Sequence, residues 1–200
     1  MIKKKNKSHT TKLNIIQNHI EEHLKVVNII DIKLKKKILK TAEILSYSLK
    51  KGGTIFWCGN GGSASDSMHL AAELIGKFKK KREPLKSISL ASNPSVITCI
   101  SNDFGYENLF SRQIQALGKK NDVLVTLSTS GNSKNIIKAI KQAKNKKLNI
   151  INFLGNDGGK CKNTGDLDLI INSTSTARIQ EIHIMIGQII CDLIEKNLKL

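Results

Sequence analysis

The run Gly52-Gly53-Thr54-Ile55-Phe56-Trp57-Cys58-Gly59-Asn60-Gly61-Gly62-Ser63-Ala64-Ser65 decides the fold. Its apolar segment, 54–58, is short and bounded by glycines on both sides. That pattern reads as a strand buried on both faces, not as the alternating pattern of a half-exposed one. A helical pattern over 63–79 follows directly, so the run is the first half of a βαβ unit. Four more apolar runs have the same character, at 86–90, 122–127, 149–153 and 167–171, and further helical patterns lie at 106–117, 132–146 and 176–198. Five strands alternating with helices predict an α/β fold, an open doubly wound five-stranded parallel sheet flanked by helices. In such sheets ligands bind beyond the carboxyl ends of the strands, which directs attention to the loops that follow them.

Towards the N-terminus the pattern is purely helical. Leu13, Ile16, Ile20 and Leu24 recur at three- and four-residue steps and predict an amphipathic helix over 12–25. Leu34, Ile38, Leu39, Ala42, Leu45 and Leu49 predict a second over 32–51, ended by Gly52-Gly53. Residues 1–10 read as a disordered basic tail, and 11–200 as a single domain that includes this N-terminal helical extension.

Composition narrows the function. The chain has 200 residues, 40% of them hydrophobic, enough for one sizeable core. It contains no apolar run of the roughly 18 residues that a membrane span needs, and no uninterrupted apolar stretch of the kind a signal peptide carries. A cytoplasmic protein without membrane attachment is expected. The net charge is +17, but thirty lysines stand against three arginines, and aromatics are 4% of the chain. Base and phosphate recognition in nucleic acids favours Arg and stacking aromatics, so the charge reads as a solvated basic surface. Cys58, Cys99, Cys161 and Cys191 are widely spaced with no C-x-x-C, which excludes a zinc-finger framework. Cys58, Cys99 and Cys191 lie in apolar stretches and are expected to be small buried hydrophobes.

Two loops carry the chemistry. After the first strand, Asn60-Gly61-Gly62-Ser63 opens a helix, where glycines admit a ligand close to the backbone and free N–H groups favour an anion. After the third strand, Ser128-Thr129-Ser130-Gly131-Asn132-Ser133 places four hydroxyls around one glycine, more than the single one a helix N-cap needs. A hydroxyl-lined phosphate cradle accounts for all of them. His69 and Glu73 share one helix face at four-residue spacing, as an acid–base pair or as two metal ligands. In the last helix, Gln180, His183 and Gln188 are polar among isoleucines.

The segments CGNGGSASDSMHLAAELIGKF, SNDFGYENLFSRQ, LSTSGNS and ARIQEIHI, in this order and spacing, resemble the sedoheptulose 7-phosphate isomerases (phosphoheptose isomerases) of the sugar isomerase, or SIS, domain superfamily. The resemblance covers nearly the whole chain from about Ile15. It implies a SIS-type sheet and an aldose–ketose isomerase that interconverts sedoheptulose 7-phosphate and D-glycero-D-manno-heptose 7-phosphate, for heptose and lipopolysaccharide precursors. It further implies a homotetramer in which neighbouring subunits complete each site, and a Zn2+ ion. Carried over residue by residue, it makes Asn60, Gly61, Gly62, Ser63, Asn102 and Asp103 substrate contacts. Ser128, Thr129, Ser130 and Ser133 become the phosphate loop, and His69, Glu73 and Gln180 metal or substrate ligands, with Glu73 also the catalytic base. One position departs from the pattern. The family has a catalytic, zinc-binding histidine eight residues after the Gln of R-I-Q-E, and Gln188 stands there. An amide does not titrate and is a poorer zinc ligand than imidazole. A catalytically altered or non-catalytic SIS protein, binding a sugar phosphate or a replication initiator, is the alternative. Lys77 is a smaller departure, where many members have Arg.

Overall fold

The computed structural model describes residues 2–200, with side chains from Thr11 onward; the tail expected over 1–10 falls on side chains outside the described residues. The chain opens with two helices, α1 (Ile2–Asn28) and α2 (Ile32–Lys50). Asp31 caps α2 by accepting from Leu34 N at 2.7 Å. Five parallel strands follow: β1 (Ile55–Gly59), β2 (Ser87–Ser89), β3 (Val123–Ser128), β4 (Asn149–Gly155) and β5 (Leu167–Ile171). Between and after them come α3 (Gly62–Ile75), α4 (Pro94–Phe104), α5 (Leu109–Leu117), α6 (Lys134–Asn145) and α7 (Thr176–Leu198).

The sheet order is β2-β1-β3-β4-β5, all parallel. Because β1 and β3 are neighbours and their connections leave in opposite directions, the topological switch point lies between their carboxyl ends. Alternating strand residues feed two cores. Ile55, Trp57, Val125, Leu127, Phe153 and Leu169 pack beneath α2, α3 and α7. Phe56, Cys58, Leu124, Ile150 and Leu154 pack beneath α4, α5 and α6. Both faces of the central strands are therefore covered, which is why β1, β3 and β4 read as near-continuous apolar runs, while Ile88 on the edge strand β2 is exposed.

Several expectations change in detail. The first helix extends well beyond 12–25 in both directions. The helix expected over 63–79 stops at Ile75, because Glu195 on α7 takes the next segment for itself. Its carboxylate accepts from the N–H groups of Phe78, Lys79 and Lys80 and from Arg82 Nε, at 3.0–3.2 Å. Arg82 in turn donates to the carbonyls of Glu73, Leu74 and Gly76, closing the C-terminus of α3. The pattern over 106–117 resolves into a short 3-10 turn (Tyr106–Asn108) and α5. Helix α4 is new to the structure: Asn93 caps it through Val96 N, and Pro94 starts it. Cys99, on α4, is exposed, contrary to its apolar surroundings in sequence, whereas Cys58, Cys161 and Cys191 are buried. No helix among the described residues is long and apolar enough to cross a membrane.

Candidate active site

The loops that follow β1 and β3 meet at the switch point. Gly61 caps α3 with φ +56°, a conformation glycine adopts without penalty. Gly62 is the first residue of α3, and the amide of Gln180 lies directly on it. A methyl group at Gly62 would sit 2.6 Å from Gln180 Oε1 and 2.7 Å from Nε2. Further along the same two helices, a methyl group at Gly187 would sit 2.5 Å from both Leu70 methyl carbons. These two contacts fix α3 and α7 in parallel register, so Gln188 falls beside the turn that carries His69 and Glu73. Consistent with this, burial first and then the nearby Glu73 carboxylate push the Cys191 thiol up to about 12.

A small cavity of about 50 Å³ is lined by Asn60, Ser63, Leu127, Ser128, Thr129, Ser130 and Ser133. It sits where the N-terminal ends of α3 and α6 both open. Each contributes the positive end of a helix dipole, the arrangement that favours an anion. The hydroxyls divide their work. Ser128 Oγ accepts from Gly131 N at 3.0 Å and Ser130 Oγ from Asn132 N at 3.2 Å, which shapes the loop. Ser133 occupies the N-cap of α6 without a side-chain capping bond, so its hydroxyl is free to turn to a ligand. The loop rests on a second one through Cys161 N to Gly131 O and Lys160 N to Asn132 Oδ1.

His69 Nε2 and Glu73 Oε1 are 2.9 Å apart on α3, the imidazole half exposed and the carboxylate 22% exposed. Asp66 shares their helix face. Burial pushes its carboxyl up to about 6 against the opposing pull of His69, and its Oδ2 meets no donor among the described residues. Sequence reasoning missed Asp66, although its spacing of three from His69 and seven from Glu73 is a legible signal. Asn102 and Asp103 lie at the exposed end of α4 and bond to each other, Asn102 Nδ2 donating to Asp103 Oδ1 at 2.7 Å. From the same segment it is Tyr106 that reaches the site, its hydroxyl donating to Asn60 Oδ1 at 2.8 Å.

His183 does not replace the histidine absent at Gln188. It is fully buried, edge-on to Phe153, with Nε2 3.2 Å from Leu154 O, and burial pushes it down to about 4 despite that bond. It is a neutral core residue facing the sheet. The donor set also does not fit a tightly held zinc. His69 and Glu73 are bonded to each other, Gln180 and Gln188 offer only amides, and among the described residues no three His, Cys, Asp or Glu side chains gather as metal ligands.

Residues 18–155 match the SIS domain family. A phosphoheptose isomerase of Clostridium acetobutylicum is 47% identical over 193 residues, 92% of this chain and 96% of its own length. That of Helicobacter pylori is 48% identical over 164 residues, 82% of this chain and 85% of its own. Among solved structures, the phosphoheptose isomerase of Neisseria gonorrhoeae superposes with a TM-score of 0.85 at 38% identity, covering 92% of this chain and 98% of its own. The Francisella tularensis protein gives 0.89 at 31% identity with the same coverage. On the family match over 18–155, and on this identity and superposition over most of both chains, the chain belongs to the SIS domain family, among its phosphoheptose isomerases.

Proposed function

We propose that this chain interconverts sedoheptulose 7-phosphate and D-glycero-D-manno-heptose 7-phosphate, supplying heptose for lipopolysaccharide precursors. The observation that carries the reading is the juxtaposition of an anion-shaped cavity, between two helix N-termini, with a carboxylate–imidazole pair on the helix leaving it. The phosphate is held by the hydroxyls and N–H groups of 128–133 together with Ser63. Gly61 and Gly62 admit the sugar close to the backbone, and Gln180, lying on Gly62, holds a sugar oxygen. Asn102 and Asp103 approach the substrate from the α4 side.

Glu73 moves a proton between C1 and C2 through a cis-enediol. A positioned carboxylate of this kind contributes about 10²–10⁴-fold. The proton that passes between the two oxygens needs a second carrier. Gln188 can only donate or accept a hydrogen bond, and His183 is out of reach, so His69, hydrogen-bonded to Glu73, is the carrier on that face. Zinc, implied by resemblance, is proposed to bind weakly here, through His69 and Glu73 with the amides of Gln180 and Gln188. Bound, it would polarise the sugar oxygens; none of the steps above requires it.

A homotetramer is proposed on the same footing. Leu13, Ile16, Ile20 and Leu24 on α1 are each about half exposed, and a groove between α1, α2 and α7 is lined by Val27, Ile30, Leu39 and Ile189. Such a surface calls for other copies of the chain, and light scattering at micromolar concentration would show a tetramer. A cytoplasmic location accords with this reading. Gln188 favours one other reading, a SIS protein that binds a sugar phosphate without converting it. Incubating the purified protein with sedoheptulose 7-phosphate and following the aldose by NMR separates them. Conversion with phosphate, and none with unphosphorylated sedoheptulose, supports the isomerase; saturable binding without conversion supports the binder.

A further inference from the structure

We propose that Asn135 is a positioning residue that fixes the distance between the two ligand-facing loops and so selects sugar phosphates by chain length. The inference rests on the isomerase reading of the site. Asn135 lies on the first turn of α6, is 3% exposed, and lines no part of the cavity. Its amide pairs reciprocally with that of Asn60. Asn60 Nδ2 donates to Asn135 Oδ1 at 3.0 Å, and Asn135 Nδ2 donates to Asn60 Oδ1 at 2.8 Å. Tyr106 adds a third bond to Asn60 Oδ1, and Ile136 N a further one to Asn135 Oδ1. Three of the four hydrogen-bonding positions of the Asn60 amide are thus engaged in joining the loops, which leaves one Nδ2 hydrogen and the backbone of the glycine loop to meet a ligand.

Strand pairing alone does not set this distance. Gly59 and Leu127 are register partners in adjacent strands, about 4.8 Å apart. Beyond them the chain diverges into α3 on one face of the sheet and α6 on the other. The amide pair is the direct side-chain tie between the two loops after they part. A sugar phosphate anchored by its phosphate in the cavity, chiefly on the hydroxyls of 128–133, and by its C1–C2 oxygens near Gly62 benefits from both only if that separation is held. When it is held, the second contact is intramolecular and the reacting carbon stays within reach of Glu73.

The test uses Asn135→Leu and Asn135→Asp, with Tyr106→Phe as a milder variant at an exposed position that removes one bond to the same amide. Each is read by its melting transition, by inhibition with inorganic phosphate, and by kcat and KM for sedoheptulose 7-phosphate and for fructose 6-phosphate. Phosphate inhibition is expected to change less than about threefold, because the hydroxyl loop keeps its own contacts. The kcat/KM for the seven-carbon substrate is expected to fall about tenfold or more, chiefly in kcat, and its advantage over the six-carbon one to narrow. Tyr106→Phe is expected to shift the same ratio by less. Parallel loss of phosphate and sugar-phosphate binding, an unchanged chain-length ratio, or no effect in the Tyr106 variant overturns the proposal. If the wild-type protein converts neither sugar, the isomerase reading fails separately. The spacing role is then read from calorimetric affinities of the two sugar phosphates relative to inorganic phosphate.

Discussion

Replacing Gly62 by Ala separates activity from stability at a single position. The added methyl would lie 2.6–2.8 Å from three atoms of the Gln180 amide, against an ordinary contact of about 3.5–4.0 Å. The amide must therefore retreat by about 1 Å. Gln180 is the flexible end of a long side chain, so the retreat costs about 0.5–1.5 kcal/mol in rotamer strain. Alanine's better helix propensity offsets up to about 1 kcal/mol of that. The melting temperature should move by less than about 4 °C. Catalysis is far less tolerant, since a displacement of about 1 Å at a substrate-positioning group costs about 10²-fold. The assay is kcat/KM for sedoheptulose 7-phosphate alongside a thermal melt. Gly187→Ala is the contrast: its methyl would strike Leu70 in the packed α3–α7 seam, where overpacking costs about 1–3 kcal/mol, so stability and activity should fall together. A Gly62→Ala protein with full turnover and an unchanged melt would refute the placement of Gln180 at the substrate.

Three further outcomes are expected. Gln188→His should raise both zinc occupancy, measured by metal analysis after dialysis, and turnover, because imidazole adds a titratable group and a stronger ligand beside His69 and Glu73; a fall in turnover would mean that the site uses the amide. Ser130→Ala should weaken phosphorylated ligands by roughly 1.5–3 kcal/mol in calorimetry while costing the fold no more than about 0.5–1.5 kcal/mol through the lost Asn132 N bond, and equal affinities of the two proteins would exclude that hydroxyl. The third concerns acid stability. His183 is held neutral, with its folded pKa depressed from 6.5 to about 4, so its contribution is fully present above pH 6.5 and is lost as pH falls towards 4. The loss amounts to roughly 3 kcal/mol, and denaturant unfolding of His183→Gln should show a correspondingly flatter dependence over that window. Identical pH slopes would contradict it.

The central strands β1, β3 and β4 were legible because burial on both faces makes each a near-continuous apolar run, and 167–171 coincides with β5, whereas the edge strand β2 is Ser87-Ile88-Ser89 with Ile88 exposed. Helix α4 was not. Its residues Val96, Ile97, Thr98 and Ile100 are β-branched, and only Ile100 is buried, so no apolar stripe marks it. The Asn93–Pro94 pair was the available signal, an N-cap followed by the residue best suited to N1. The end of α3 was hidden for a different reason. Glu195, more than a hundred residues downstream, captures the backbone of 78–80, and no local pattern reports that. Cys99 read as buried because its neighbours are apolar, yet α4 turns it to the exposed side.

The site divides the same way. The loops at 60–63 and 128–133 announce themselves through glycine and hydroxyl content, and the cavity they share was legible as two halves. That Gln180 lies on Gly62, and that Asn60 is committed to Asn135 and Tyr106, depends on helix register and loop closure. Those are tertiary facts with no local sequence signature.

The central claim, that Glu73 transfers the carbon-bound proton of a sugar phosphate held between two helix ends, is tested most directly in D2O. The purified protein is incubated with sedoheptulose 7-phosphate and the deuterium content of the aldose is followed by NMR, with Glu73→Gln in parallel. The wild-type protein is predicted to form aldose with deuterium at C2. The variant should do so at least about 10²-fold more slowly while still binding the phosphorylated sugar. Undiminished turnover in Glu73→Gln would contradict the account.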